Sequence, residues 1–193
     1  MTKLAIVEKG DPVLETPAKE LSLADISSKE IKKLIADMKD TLDAIPDGVG
    51  LAAPQVGAGV KIFIVSKRVF KRVGKKVTDE VEEGFSSTQD LVCINPKIVK
   101  ASKTKKWLPG EGCLSVRWFY GKVLRSTHVS LEYIDEQGKK QLRGAGGILS
   151  HIFQHECDHL DGQLFIDKAI DVEWLEPKET DVQNEDGSVT AGK

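Results

Sequence analysis

Gly144-Ala145-Gly146-Gly147-Ile148-Leu149-Ser150-His151-Ile152-Phe153-Gln154-His155-Glu156-Cys157-Asp158-His159-Leu160 is the stretch on which the reading of this chain turns. Glycines open it, and Ile148, Leu149, Ile152, Phe153 and Leu160 then recur at the spacing of one helical face. A helix here has the apolar stripe of an element packed on a core. It also sets His155 and His159 one turn apart on a common face, where two imidazoles can share one metal ion. Glu156 follows the first of them and projects beside such an ion rather than onto it, in place to handle the proton of a water. Of the four histidines in the chain, three (His151, His155 and His159) fall on this helix.

Working outward, Val129-Ser130-Leu131-Glu132-Tyr133 alternates, and Glu136-Gln137-Gly138-Lys139 turns it back into Gln141-Leu142, a hairpin signal. Leu91 to Ile94 and Ile98 to Val99 read as short strands broken at Asn95-Pro96, and Val60 to Val65 as a strand rich in β-branched residues. An earlier helix is marked by Ile31, Leu34, Ile35, Met38, Leu42 and Ile45, with Ser27 and Glu30 as a capping box and Pro46-Asp47-Gly48 as its end. Strands stand before and after a helix without regular βαβ alternation, so the fold class is α+β. The expected architecture is antiparallel or mixed β-sheets packed around the helix that carries His155 and His159. Residues 1–176 read as a single catalytic domain. Residues 66–90, where Lys67, Arg68, Lys71, Arg72, Lys75 and Lys76 precede Asp79, Glu80, Glu82 and Glu83, read as a charged loop or hairpin insertion around Gly74. Residues 177–193 read as a flexible acidic tail.

With 193 residues, 40% hydrophobic and 30% charged, the chain can build a core. A net charge of −2 lacks the basic field of a dedicated DNA binder. No apolar run approaches the roughly 20 residues of a membrane span, and Met1 to Lys9 has no secretory signal pattern. The three cysteines, Cys93, Cys113 and Cys157, are too few and scattered for a disulfide framework. A reducing cytoplasm fits this cysteine usage.

Two imidazoles are not a complete site, since catalytic centres of this type use three protein ligands and one open position. A third histidine six residues after His159 is absent, because position 165 is Phe165, and both methionines, Met1 and Met38, lie upstream. Glu173, Glu176 and Glu179 could complete the site of an HExxH peptidase. Cys113, between glycines and a strand in Gly110-Glu111-Gly112-Cys113-Leu114-Ser115, could complete it as a thiolate.

Three segments in order resemble the motifs of the peptide deformylase family: Gly48-Val49-Gly50-Leu51-Ala52-Ala53-Pro54-Gln55, Glu111-Gly112-Cys113-Leu114-Ser115, and Gln154-His155-Glu156-Cys157-Asp158-His159. The resemblance covers roughly residues 4 to 170. It implies a hydrolase that removes the formyl group from N-terminal formylmethionine and releases formate. It implies Cys113, His155 and His159 as ligands of one divalent ion, Fe(2+) by family precedent, with Zn(2+), Ni(2+) and Co(2+) also suited to this donor set. Glu156 becomes the acid–base residue, Gln55 and the N–H of Leu114 the oxyanion donors, and Val49, Gly50 and Gly112 a backbone edge for an extended substrate. The expected partners are the formylmethionyl peptide and a passing contact with the ribosome, with the protein a monomer. The sequence departs from the family at Val116-Arg117-Trp118-Phe119-Tyr120, where a proline is common. It departs again at His151, usually aliphatic, and in the acidic C-terminal end, which lacks a basic ribosome-facing helix. Arg125 and Asp158 are candidates for steadying the ligands by charge.

Overall fold

Strand β2 (Ile62–Val65) is apolar at every position because both of its faces are covered. The structure, a computed structural model, describes residues 3–73 and 88–176. Phe63 and Val65 turn to one side of β2 and join a core with Phe153, Ile152 and Leu160, while Ile62 and Ile64 turn to the other and join Ile35, Met38 and Leu42. The first group of partners lies on helix α4 (Gly147–Leu160), the second on helix α2 (Lys29–Asp43). The two-residue period of a strand sorts the side chains between the two helices. Strand β3 (Leu91–Ala101) repeats the pattern, with Leu91 and Cys93 toward α4 and Val92 and Ile94 toward α2.

Two antiparallel sheets result, in keeping with the α+β reading. With β1 (Gly50–Ala52), β6 (His128–Ile134) and β7 (Lys140–Gly146), the larger sheet has the order β1-β2-β3-β6-β7. The smaller joins β4 (Lys105–Cys113), β5 (Val116–Ser126) and β8 (Ile170–Trp174) in the order β4-β5-β8 over Leu14, Val116, Val123, Leu164 and Phe165. Helix α4 packs against strands of both sheets. It is anchored by Phe153, whose ring centroid is 5.9 Å from that of Phe63. Burying one such side chain contributes about 1.5 to 3 kcal/mol, so the helix carrying His155 and His159 is fixed by core packing.

The expected hairpin is β6 and β7, in register from Ile134↔Lys140 to His128↔Gly146. Its loop is closed by the Asp135 carboxylate, which accepts the N–H groups of Gln137 and Lys139. Other expectations change. Ser28 caps α2, accepting the Ile31 N–H, while the Ser27 hydroxyl donates to the Leu23 carbonyl at the end of a separate short helix, α1 (Leu23–Ser27). The capping box belongs to Ser22 and Asp25 of α1. Helix α2 ends at Asp43, ahead of Pro46. Asn95-Pro96 does not break β3 in two. It makes an irregularity between Ile94 and Lys97, with Asn95 at φ 48° and its side chain bonded to both the N–H and the carbonyl of Leu21. The charged stretch begins as a helix, α3 (Lys67–Val73), whose first N–H is accepted by Asp90. The rest of that insertion, 74–87, and the tail 177–193 lie outside the described residues.

Candidate active site

Cys113 ends β4, and His155 and His159 face it from α4. Their ligand atoms all lie within 4.8 Å of one another. His159 Nε2 is 3.2 Å from Cys113 Sγ, and the Ser115 N–H reaches the same sulfur at 3.4 Å. Burial and the neighbouring His155 hold the His159 imidazole neutral. The His155 imidazole is pushed up to about 10: burial opposes its charged form, but hydrogen bonds to Cys113 and Glu111 outweigh that. A sulfur and two imidazoles whose ligand atoms converge within 4.8 Å are a donor set that fits a divalent metal ion.

Glu156 is buried beside this cluster at 3% exposure, and its Oε2 has no hydrogen-bond partner among the described residues. Burial raises its carboxyl to about 7, the range in which a proton can be both taken and returned. An unpartnered buried carboxylate oxygen is costly unless a water or a reacting group completes it. Gly50 makes the space for this carboxylate, since a Cβ on Gly50 would stand 2.2 Å from Glu156 Oε1.

Gln55 sits in the turn after β1. Its Oε1 accepts the Ala52 N–H at 2.9 Å, which turns the amide NH₂ toward Cys113 Sγ and Ser115 Oγ, each at 3.4 Å. Leu114 lies in the turn after Cys113, and its N–H has no hydrogen-bond partner among the described residues. The Val49 carbonyl accepts the Ser66 N–H at 2.9 Å, so the backbone of Val49 faces β2. Its neighbour Gly50, which pairs opposite Val65, therefore turns its N–H and carbonyl to the free edge of the sheet. Gly112 stands opposite Tyr120, whose ring leaves no room for a Cβ (2.7 Å). These residues border one cleft of about 460 Å³ between the edge strands β1 and β4.

Glu111 is the residue that motif reading passed over. Its carboxylate is gripped by Arg125 through Nε (3.1 Å) and Nη2, and it accepts from His155 Nδ1 (2.7 Å) and from His151. Burial works to raise its pKa, but these partners hold the carboxyl well below the usual carboxylate range. The bond to His155 Nδ1 fixes the ring with Nε2 left for a metal. Arg125 also donates to Asp158 at 2.6 Å, and Lys168 donates to the other oxygen of Asp158 at 2.6 Å. His151 lines the cleft with its Nε2 bound to Glu111, outside the ligand cluster. The signal for Glu111 was an acid set beside Gly112 and Cys113, and for its partner an arginine on the next strand. Glu173 and Glu176 are exposed and outside the cluster, so the peptidase alternative gains no ligand among the described residues; Glu179 lies outside them.

Fold and cluster together define a class: an α+β protein with a thiolate–imidazole cation site in a cleft between two sheet edges, flanked by a buried carboxylate. The family model described as polypeptide deformylase matches residues 3–174, and the chain belongs to that family. The family's reaction is removal of the N-formyl group from newly made polypeptides by a metal-dependent hydrolase. The chain is 38% identical over 171 residues to a peptide deformylase of Thermomicrobium roseum, covering 89% of this chain and 88% of that one. It is 41% identical over 166 residues to peptide deformylase 1A, chloroplastic/mitochondrial, of Arabidopsis thaliana, covering 86% of this chain but only 61% of that longer protein. Among solved structures, a peptide deformylase from Synechococcus elongatus in complex with actinonin superposes with a TM-score of 0.71 at 34% identity, covering 89% of this chain and 81% of that one. The match is similar for a Plasmodium falciparum peptide deformylase, with a TM-score of 0.70 at 37% identity and 86% of each chain covered.

Proposed function

We propose that this chain hydrolyses the formyl group from N-formylmethionyl peptides, with Cys113, His155 and His159 holding one divalent ion and Glu156 moving the protons. The observation that carries this reading is the convergence of the three ligand side chains within 4.8 Å beside a buried carboxylate with an unpartnered oxygen. When bound, the ion supplies Lewis-acid chemistry, polarising the formyl oxygen and making a water nucleophilic. Glu156 accepts the proton that this water loses on attacking the formyl carbon. It then returns the proton to the amine nitrogen as the C–N bond breaks, so that formate and a free amino terminus leave. Gln55 Nε2 and the Leu114 N–H donate to the oxyanion, a role worth about 3 to 4 kcal/mol per donor in comparable sites. Gly50 and Gly112 pair with the extended peptide, which enters the cleft as an added strand, and Val49 contributes its side chain to the wall.

Iron(II) is the ion we favour, with zinc, nickel and cobalt as substitutes that the same donors accept. The protein acts as a monomer on emerging chains, with at most a passing ribosome contact, in a bacterial-type cytoplasm or an organelle. Formate release from formyl-Met-Ala-Ser by the iron-loaded protein tests the reading. Turnover that disappears in Cys113→Ala supports it, and peptide-bond cleavage without formate would falsify it.

A further inference from the structure

Residues 117–119 have no counterparts across the hairpin that carries Cys113. Cys113 stands opposite Val116 and Gly112 opposite Tyr120, so one step on β4 is matched by four on β5. Arg117, Trp118 and Phe119 therefore swell out of the ladder, and all three line the cleft that holds Cys113, His155 and Glu156. The swelling is strained at its crest: Trp118 has φ 70°, a conformation rare for a bulky side chain. Strained backbone of this kind persists only where the surroundings enforce it, and it concentrates at ligand clamps. Here the C-terminal strand enforces it, with the Leu175 N–H donating to the Trp118 carbonyl at 2.8 Å and Phe119 paired opposite Trp174.

Arg117 is exposed on this rim and, among the described residues, makes no hydrogen bond or ion pair. Other cations of β5 are engaged, Lys122 with Asp171 and Arg125 with Glu111 and Asp158. Among the described residues, no acid lining the cleft pairs with Arg117 either. Glu111 is held by Arg125, Glu156 is buried, and Asp47 lies in the segment between α2 and β1 without pairing to Arg117. A guanidinium left uncommitted on a pinned, substrate-facing rim is a receptor for a carboxylate.

We infer that Arg117 is a specificity residue of the deformylase reaction, anchoring an acidic side chain in the two or three residues that follow the substrate methionine. This rests on the deformylase reading above. A carboxylate reaches the rim from two sources, an Asp or Glu side chain or the free C-terminus of a short peptide. The side chain is the source that Arg117 meets, because the proposed substrate is a long chain whose C-terminus is far away.

The experiment uses C-terminally amidated formyl-Met peptides carrying Asp, Ala or Lys at the second or third position, with the free acids as a separate arm. Formate release is followed at low and high salt. In the wild type, kcat/KM for the Asp peptide should exceed that for the Lys peptide by about threefold or more at one of these positions. The difference should be carried by KM and shrink as salt screens the exposed charge. Arg117→Ala should bring the ratio near one, and Arg117→Glu should invert it, while metal content and thermal midpoint check that each variant is folded. Formate release with the same Asp-to-Lys ratio in all three proteins overturns this inference alone, as does an effect of the free C-terminus with none of the side chain. No formate from any peptide overturns the deformylase reading and this inference with it.

Discussion

Cys113, His155 and His159 come from two elements, and each offers one of the three ligand atoms of the proposed metal site, so the loss of any one should be felt in metal retention before it is felt in turnover. Cys113→Ala removes a ligand together with the thiolate's negative charge. Metal analysis of the purified variant should give a small fraction of wild-type content, with no recovery of activity at micromolar metal. Glu156→Gln keeps size and removes the base, so metal should stay bound while kcat falls by roughly 100-fold or more, as general acid–base catalysis requires. A kcat within a few-fold of wild type would contradict the role given to Glu156. Arg125→Ala is the test of support from behind the ligands. Arg125 is 4% exposed, and Glu111 is buried with it. Removing one partner of a buried ion pair costs about 3 to 5 kcal/mol where the other is left uncompensated, and here the loss falls toward the lower end because His151 and His155 still meet Glu111 and Lys168 still meets Asp158. Denaturant unfolding should register that loss, and metal should leave faster on chelator challenge. At this scale the histidine pair of the proposed metal site was legible in the sequence, because His-x-x-x-His on a helix fixes its own geometry, whereas spacing alone did not single out Cys113. The Glu111–Arg125–Asp158 chain was only partly so. Its members are 14 and 33 residues apart, and they are brought together by the pairing of β4 with β5 and the packing of α4 against β5, neither of which local spacing encodes.

The element that the sequence described least well does structural work at the cleft. Residues 66–90 looked like a charged excursion, yet Arg68 at the start of α3 closes the C-terminal end of α2. Its Nη2 donates to the Leu42 carbonyl at 2.7 Å, and its Nη1 donates to Ile45 at 2.7 Å and Pro46 at 2.8 Å. Unsatisfied carbonyls and the negative end of a helix both favour a cation there. Ile45 and Pro46 also line the cleft, so this guanidinium holds one wall of it in place. Charge periodicity could not reveal the role, because an arginine in a run of basic residues has the same signature whether solvated or capping. Arg68→Ala should lower stability by about 2 kcal/mol, the scale of a charged hydrogen bond left unmade. It should also raise KM for formyl-Met peptides several-fold with little change in kcat or metal content. Arg68→Lys should recover only part of this, since an ammonium does not reproduce the guanidinium fork. Equal KM in the alanine variant and the wild type would confine Arg68 to helix capping.

Across the whole molecule, the cleft lies where two sheets present edges to each other, β1 of the larger and β4 of the smaller. In the proposed function an extended peptide entering there meets a sheet edge on each side, while α4 lines the same cleft with His151, His155 and Glu156. The α+β class was legible because alternation and helical periodicity each leave a local trace. The pairing of β5 with β8 was not: Ile170-Asp171-Val172-Glu173-Trp174 alternates as a strand does, but it is five residues long and exposed throughout, and alternation does not name a partner. That pairing holds the 117–119 rim through a single backbone bond from Leu175 and the Phe119↔Trp174 pair. No residue of β8 belongs to the three buried core clusters or to the ligand group, so loosening it should spare both fold and metal. Leu175→Pro deletes the N–H that Trp118 accepts and leaves every ligand untouched. The variant should keep wild-type metal content and lose no more than a few degrees of thermal midpoint. Its KM for peptides longer than two residues should rise several-fold, while KM for formyl-Met-amide, too short to reach the rim, should not move. A parallel rise for the short and long substrates would mean that β8 supports the site as a whole rather than the part of the cleft that reads the peptide beyond its methionine.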